Sequence, residues 1–185
     1  MKKVLIQFAH PAPQKSRINT KMVRAVDGLD NVFINDLYQN YPDFFINIER
    51  EQQLLVKHDI IVFQCPMYWY STPAILKEWQ DIVLTRGFAY GEFGNALKGK
   101  HFCLAMSLGG SESAYEMGQN GSEGRATVEQ LVKPIECMAK LCGMVWQQPL
   151  VIYDALHLSP ASCNKAAEYY RSYIINQRDG EQHAS

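Results

Sequence analysis

Apolar and polar positions along the chain switch repeatedly between a strand-like run and a helical spacing. Val4-Leu5-Ile6-Gln7-Phe8 is a short apolar run and predicts a first strand. Ile18, Met22, Val23 and Val26 then recur at helical spacing, and Gly28 closes that helix. Val32 to Leu37 predicts a second strand, followed by an aromatic loop from Tyr38 to Asn47 and a polar helix starting near Ile48. Asp59 to Cys65 is apolar on both faces, as a central parallel strand should be. Thr72-Pro73 opens the next helix, with Thr as N-cap and Pro in the first turn. Ile75, Leu76, Trp79, Ile82 and Val83 form its inner stripe, and Gly87 ends it. Lys100 to Met106 predicts a fourth strand, and a glycine-rich loop runs from Ser107 to Gly124. Val128, Leu131, Val132, Ile135 and Met138 mark one face of a helix that stops at Gly143 and is kinked at Pro134. Gln148 to Tyr153 predicts a fifth strand, and Ser159-Pro160 caps a last helix carrying Ala166, Tyr169, Tyr170, Tyr173 and Ile174.

Strands that are each followed by a helix predict an α/β three-layer sandwich, a five-stranded parallel sheet with helices on both faces. Right-handed crossovers leave few topologies. The doubly wound order 2-1-3-4-5 fits best, with half of a dinucleotide-binding fold as the alternative. A chain of 185 residues is one domain, here residues 1–178, with 179–185 as a frayed tail. Composition is 47% apolar and 20% charged, which excludes disorder, collagen and a coiled coil. Eighteen basic and nineteen acidic residues leave a net charge of −1, which argues against a nucleic-acid surface. The strongest apolar run, Ile60 to Phe63, is far short of the roughly 20 residues of a membrane span. Gln7 and His10 interrupt the first apolar run, so no signal peptide is predicted. Five cysteines, odd in number and never spaced as CxxC, read as reduced thiols of a cytoplasmic protein without a zinc site.

In such a sheet the ligand lies beyond the C-terminal ends of the strands, at the switch between strands one and three. The loops there are His10 to Asn19, Pro66 to Thr72, and Ser107 to Asn120, the most unusual stretches of the chain. The first ends in Ser16 and Asn19 at a helix N-terminus, a seat for phosphate, with Lys15, Arg17 and His10 available to add charge. Neither GxGxxG nor a Walker loop is present, and the plainer reading of Ser16 and Asn19 is as helix caps. Pro66-Met67-Tyr68-Trp69-Tyr70-Ser71 places three aromatic rings after a buried strand, where at least one should face the cleft and stack on a flat heterocycle. An aromatic plug of the core or a dimer contact is the alternative. Ser107-Leu108-Gly109-Gly110-Ser111 lets backbone N–H groups approach a planar ligand, with Tyr115 in reach, unless it is a plain surface loop. Flavin mononucleotide satisfies the three loops together. His58 and His101 lie at the opposite strand ends, and no serine elbow, histidine pair at metal spacing or paired carboxylate offers another chemistry.

Several motifs together carry a resemblance that spans nearly the whole chain. They are Ala9-His10-Pro11, Asp36-Leu37-Tyr38 with Tyr41-Pro42-Asp43-Phe44, and Phe63 to Ser71 with Pro73 to Trp79. Gly87-Phe88-Ala89-Tyr90-Gly91, Gly109-Gly110 with Tyr115, and Leu141-Cys142-Gly143-Met144 complete the set. On these residues the chain resembles the flavodoxin-like NAD(P)H:quinone oxidoreductases, and among them the ancillary proteins of bacterial glutathione-regulated potassium-efflux systems. The resemblance implies a flavin, FMN or alternatively FAD, with NAD(P)H as co-substrate and a quinone-like acceptor. It implies that His10, Ser16 and Asn19 hold the phosphate, and that Pro66, Met67, Tyr68, Trp69 and Tyr70 line the ring. Ser107, Gly109 and Gly110 then contact the ring's polar edge, and Tyr115 lies near hydride transfer. The histidine that follows this tyrosine in mammalian quinone reductases is absent from Gly118-Gln119-Asn120, which leaves Tyr115 as the acid. The Phe88-Ala89-Tyr90 segment would close the pocket of a partner subunit, implying a homodimer. The same resemblance implies a membrane antiporter as a possible partner, with a cytoplasmic or peripheral inner-membrane location. A one-electron carrier is disfavoured by the near-zero charge, and a flavin-free nucleotide-binding regulator is the remaining alternative.

Overall fold

A computed structural model describes residues 1–116 and 126–180. Its centre is a wholly parallel sheet built from β1 (Val4–Phe8), β2 (Val32–Asp36), β3 (Ile60–Pro66), β4 (His101–Ser107), β5 (Val145–Trp146) and β6 (Leu150–Ile152). The order is β2-β1-β3-β4-β5, with β6 also paired to β4. Every residue of β1 and β3 is buried, because helices cover both faces. Side chains alternate across the sheet. Val4, Ile6, Val62, Cys103 and Ala105 pack with α1 (Asn19–Val26) and α6 (Pro160–Asp179). Leu5, Ile61, Phe63, Phe102 and Leu104 pack with α3 (Ile48–Lys57), α4 (Ala74–Val83) and α5 (Val128–Leu141). The predicted layers and strand order are those observed.

The departures from the sequence reading are local. The fifth strand is two short pieces: Phe102 pairs with Trp146 and Ala105 with Leu150, so the edge carries one more residue than β4 between these pairs. Pro149 lies in the gap and has no N–H to give to a ladder. The second strand stops at Asp36, whose carboxylate accepts from the Gln39 N–H at 3.1 Å and starts the single-turn α2 (Leu37–Asn40). Thr72 does not cap α4; Pro73 occupies the N-cap position and makes no side-chain bond there. That helix ends at Val83, well before Gly87, whose φ of +85° serves the turn that follows. On α6, Tyr169 is exposed, whereas Cys163, Ala167, Tyr170 and Ile174 face the core. Asp179 belongs to this helix and Gly180 terminates it in left-handed backbone, so these two are not part of a frayed tail; 181–185 lie outside the described residues. α5 runs through Pro134 as one element.

One buried carboxylate organises the α3 side. Glu51 accepts from Gln7 Nε2 at 2.9 Å, Asn35 Nδ2 at 2.9 Å, the Tyr41 hydroxyl at 2.7 Å and Trp79 Nε1 at 2.9 Å, and it pairs with Arg50. Strands β1 and β2 and helices α3 and α4 are joined through its oxygens. Burial and the neighbouring carboxylate push the Tyr41 phenol up to about 12.

Candidate functional site

The chain leaves β1, β3 and β4 at the same edge of the sheet, and three loops meet there. The first follows β1. His10 is buried and its Nδ1 accepts from the Ala12 N–H at 3.1 Å. Burial lowers its pKa below 6.5, so the ring is neutral and carries its proton on Nε2. It therefore contributes an N–H donor and not the charge expected from sequence. Ser16 Oγ accepts from the Thr20 N–H at 3.4 Å, a long capping contact. Arg17 is tied away, its Nη1 donating to Leu156 O at 2.9 Å. Next to it, the N–H groups of Arg17, Ile18 and Asn19 find no acceptor among the described residues. With the helix dipole behind them they form a positive notch at the start of α1.

The second loop follows β3. Its Tyr68 and Ser71 exchange backbone bonds of 2.9 and 3.0 Å around Trp69 and Tyr70, whose φ angles are +48° and +64°. Two left-handed residues in a two-residue turn are ordinarily asparagine and glycine. Here they are bulky aromatics, each costing on the order of 1 kcal/mol or more in that conformation. The strain presents the rings to solvent: Trp69 is 95% exposed, and Tyr68 and Tyr70 are also exposed. They do not plug the core. The Tyr68 ring meets the edge of His10 at 6.3 Å, linking the first loop to the second.

The third loop follows β4 and is zipped to the chain beyond β6 by Leu108 N–H to Ile152 O at 2.8 Å, Ala155 N–H to Leu108 O at 2.9 Å and Asp154 N–H to Gly110 O at 2.9 Å. The N–H groups of Gly109 and Gly110 find no acceptor among the described residues. A side chain at Gly109 would start in contact with Leu156, 3.4 Å away. Tyr115 closes a short 3-10 turn and packs on Tyr153 at 6.2 Å between ring centres. Gly118, Gln119 and Asn120 lie outside the described residues.

Buried polar side chains join the three loops at their roots. Gln64 Nε2 donates to Asn19 O at 3.0 Å, and Asn19 Nδ2 donates to Ser107 Oγ at 2.8 Å. Ser107 O in turn accepts from the Met67 N–H at 2.8 Å. Asn19 is thus no helix cap: Ile18 holds that position, and the Asn19 side chain turns inward. Asn19 Oδ1 and Gln64 Oε1 are buried acceptors without a protein partner among the described residues. Gln64 was not among the residues the sequence reading picked out. Its signal was available, one amide inside the apolar strand Ile60–Pro66.

Beside Met67, Tyr70 and Ser71 a cavity of about 410 Å³ opens between α4 and α5. Tyr90 lines it within its own chain, while Ala89 is buried in the core. The exposed ring of that region is Phe93. Among the described residues no helix is long and apolar enough to cross a membrane, and no group of three or more metal-ligating side chains gathers.

Residues 2–174 match the family described by its flavodoxin-like fold. A glutathione-regulated potassium-efflux system ancillary protein, KefG, of Pectobacterium carotovorum is 44% identical over 174 residues, 94% of this chain and 93% of that protein. The crystal structure of general stress protein 14 from Treponema denticola in complex with FMN superposes with a TM-score of 0.88 at 34% identity, covering 95% of this chain and 99% of that one. That of an NADPH-quinone reductase from P. pentosaceus gives a TM-score of 0.81 at 32% identity over 92% and 96% of the two chains.

Proposed function

We propose, on the premise that this chain belongs to the flavodoxin-like family, that it is an NAD(P)H-dependent flavin oxidoreductase serving a quinone-like acceptor. The observation that carries this reading is the junction of three loops at one sheet edge, with N–H groups on two of them that find no acceptor among the described residues and a strained, exposed aromatic turn on the third. The residues fit FMN, and the FMN complex of the Treponema protein supports a flavin there, with FAD as the alternative. The chemistry such a cofactor supplies is two-electron transfer between NAD(P)H and the acceptor.

The chain's own part is to bind, orient and balance charge. The N–H groups of Arg17, Ile18 and Asn19, with the Ser16 hydroxyl and the neutral His10 Nε2–H, would hold a phosphate. Pro66, Met67, Tyr68, Trp69 and Tyr70 would wall the flat ring. The Gly109 and Gly110 N–H groups would face its polar edge and stabilise negative charge there, while Ser107, buried against Asn19, would root their loop. Tyr115 would hold a proton on its Oη near the reacting edge. An absorption spectrum of the purified protein tests the reading: visible bands that bleach on adding NADPH are expected, and a colourless chain that takes up no FMN would overturn it. Tyr115→Phe should keep FMN and bleach more slowly; an unchanged rate would remove Tyr115 from the chemistry.

A second reading rests on the 44% identity to the potassium-efflux ancillary protein. The chain would then also serve as the cytoplasmic partner of such a membrane antiporter, which co-purification with the antiporter would test. The family resemblance also implies a homodimer, measurable by sedimentation, with the exposed Phe45 and Phe93 as candidate contacts.

A further inference from the structure

Gln64, Asn19 and Ser107 sit where three separate pieces of the flavin site are rooted, and none of them is free to move alone. The alternation of the strands puts Gln64 and Ser107 on the α1 face of the sheet; on the neighbouring strands β3 and β4 Gln64 pairs with Ala105, two residues before Ser107. Gln64 is also held from β1, since the Ala9 N–H donates to its carbonyl at 3.0 Å. Its side chain grips the first residue of α1 through the Asn19 carbonyl. The Asn19 amide then grips β4 through Ser107 Oγ, and the Ser107 carbonyl grips the start of the aromatic loop through the Met67 N–H. The phosphate notch, the aromatic turn and the glycine loop are therefore ends of one buried hydrogen-bond chain. In a low-dielectric interior such chains act as units and not as separate pairs.

The chain is also incompletely matched. Asn19 and Gln64 each keep one acceptor oxygen that no protein donor reaches among the described residues. A buried acceptor without a donor gives up the hydrogen bonds that water would have made to it. Two of them at the meeting point of three loops are poor construction for a scaffold and suit an element that ligand binding completes or stiffens.

From this geometry we infer that Gln64 is a positioning residue that couples the phosphate notch to the ring-binding loops. The inference rests on the flavin reading and deepens it. The site would then select a phosphorylated flavin by more than the phosphate's own contacts. Filling the notch fixes the start of α1, and through Gln64, Asn19 and Ser107 it fixes the Met67 and Gly109 ends of the ring site.

The test needs three ligands, FMN, riboflavin and inorganic phosphate, titrated into the flavin-free full chain by fluorescence quenching and calorimetry. In the wild type, saturating phosphate should tighten riboflavin by at least about fivefold, and riboflavin should tighten phosphate by the same factor. In Gln64→Met that factor should fall to about one. FMN affinity should drop while riboflavin alone binds nearly as in the wild type. A variant that weakens FMN and riboflavin equally, with the coupling factor kept, would mean that Gln64 only supports the fold, and the inference fails. If Gln64→Met does not fold by circular dichroism, the wild-type factor decides alone: about fivefold or more sustains the coupling, and a factor near one overturns it. A wild type that binds neither flavin overturns the flavin reading and this inference with it. Binding without coupling overturns only the inference.

Discussion

Two buried polar networks lie on opposite faces of the same sheet, and they are built to different standards. Around Glu51, on the α3 side, donors from two strands, two helices and a loop tyrosine converge on one carboxylate. Around Asn19, on the α1 side, three amides and hydroxyls form a thin chain, and two oxygens remain without donors among the described residues. The first network lies beneath α3 and α4, with the Glu51 carboxylate fully buried. The second lies beneath an edge where N–H groups find no acceptor among the described residues and Trp69 and Tyr70 are held in unfavourable backbone. A saturated network fixes a structure; an unsaturated one beside strained backbone is where the proposed ligand site would lie.

Breaking the saturated side should have the largest effect. Glu51→Leu strands the amide, indole and phenol donors and leaves Arg50 only its contacts to Asn35 Oδ1 and the Tyr41 hydroxyl. A loss of about 3–5 kcal/mol in urea unfolding is expected. A loss below about 1 kcal/mol would put the two networks on an equal footing and erase the contrast. The strained turn should respond in the opposite direction. Replacing Trp69 by Asn and Tyr70 by Gly supplies residues suited to left-handed backbone and should stabilise the chain by about 1–2 kcal/mol. FMN affinity should fall at least about tenfold in the same protein, a trade of binding for stability. A double variant that gains stability and keeps its flavin would show that the rings are not a stacking wall.

The smallest effect concerns pH. Burial holds His10 below its ordinary 6.5, so near and just below that pH the unfolded chain binds protons that the folded chain refuses. The neutral ring's contribution is complete above the unfolded value and is lost as pH falls toward the folded one. His58 and His101 are shifted the same way by burial. The melting temperature should therefore drop from about pH 7.5 to about pH 5.5, and His10→Gln should flatten part of that drop. A variant with the wild-type profile would assign the whole slope to the two histidines at the far end of the sheet.

The sequence was informative where a single physical cause decides the outcome. β1, β3 and β4 are buried on both faces, so their apolar runs mark them directly. The fifth strand was harder, because its interruption depends on pairing with β4 across Gln147, Gln148 and Pro149, and no local period carries that register. The three site loops were legible as odd stretches at predictable strand ends. Their inner wiring was not. The Asn19–Ser107 bond spans 88 positions, and nothing near Asn19 distinguishes an inward amide from a helix cap. The left-handed turn was hidden for the opposite reason: its residues are the ones that turn chemistry disfavours, and only the bonds between Tyr68 and Ser71 reveal it.

The divided strand at the β5–β6 edge also bears on how copies of this chain meet at high concentration. A long, regular edge offers free donors and acceptors to any extended segment that drifts by, and so invites open-ended growth of the sheet. Here the edge offers a two-residue piece and a three-residue piece out of step by one residue, with Pro149 between them. A strand added outside this edge would have to absorb the same one-residue offset that β4 absorbs on the inside. The irregularity that spoils the tidy five-strand pattern thus acts as a guard against fibrous aggregation.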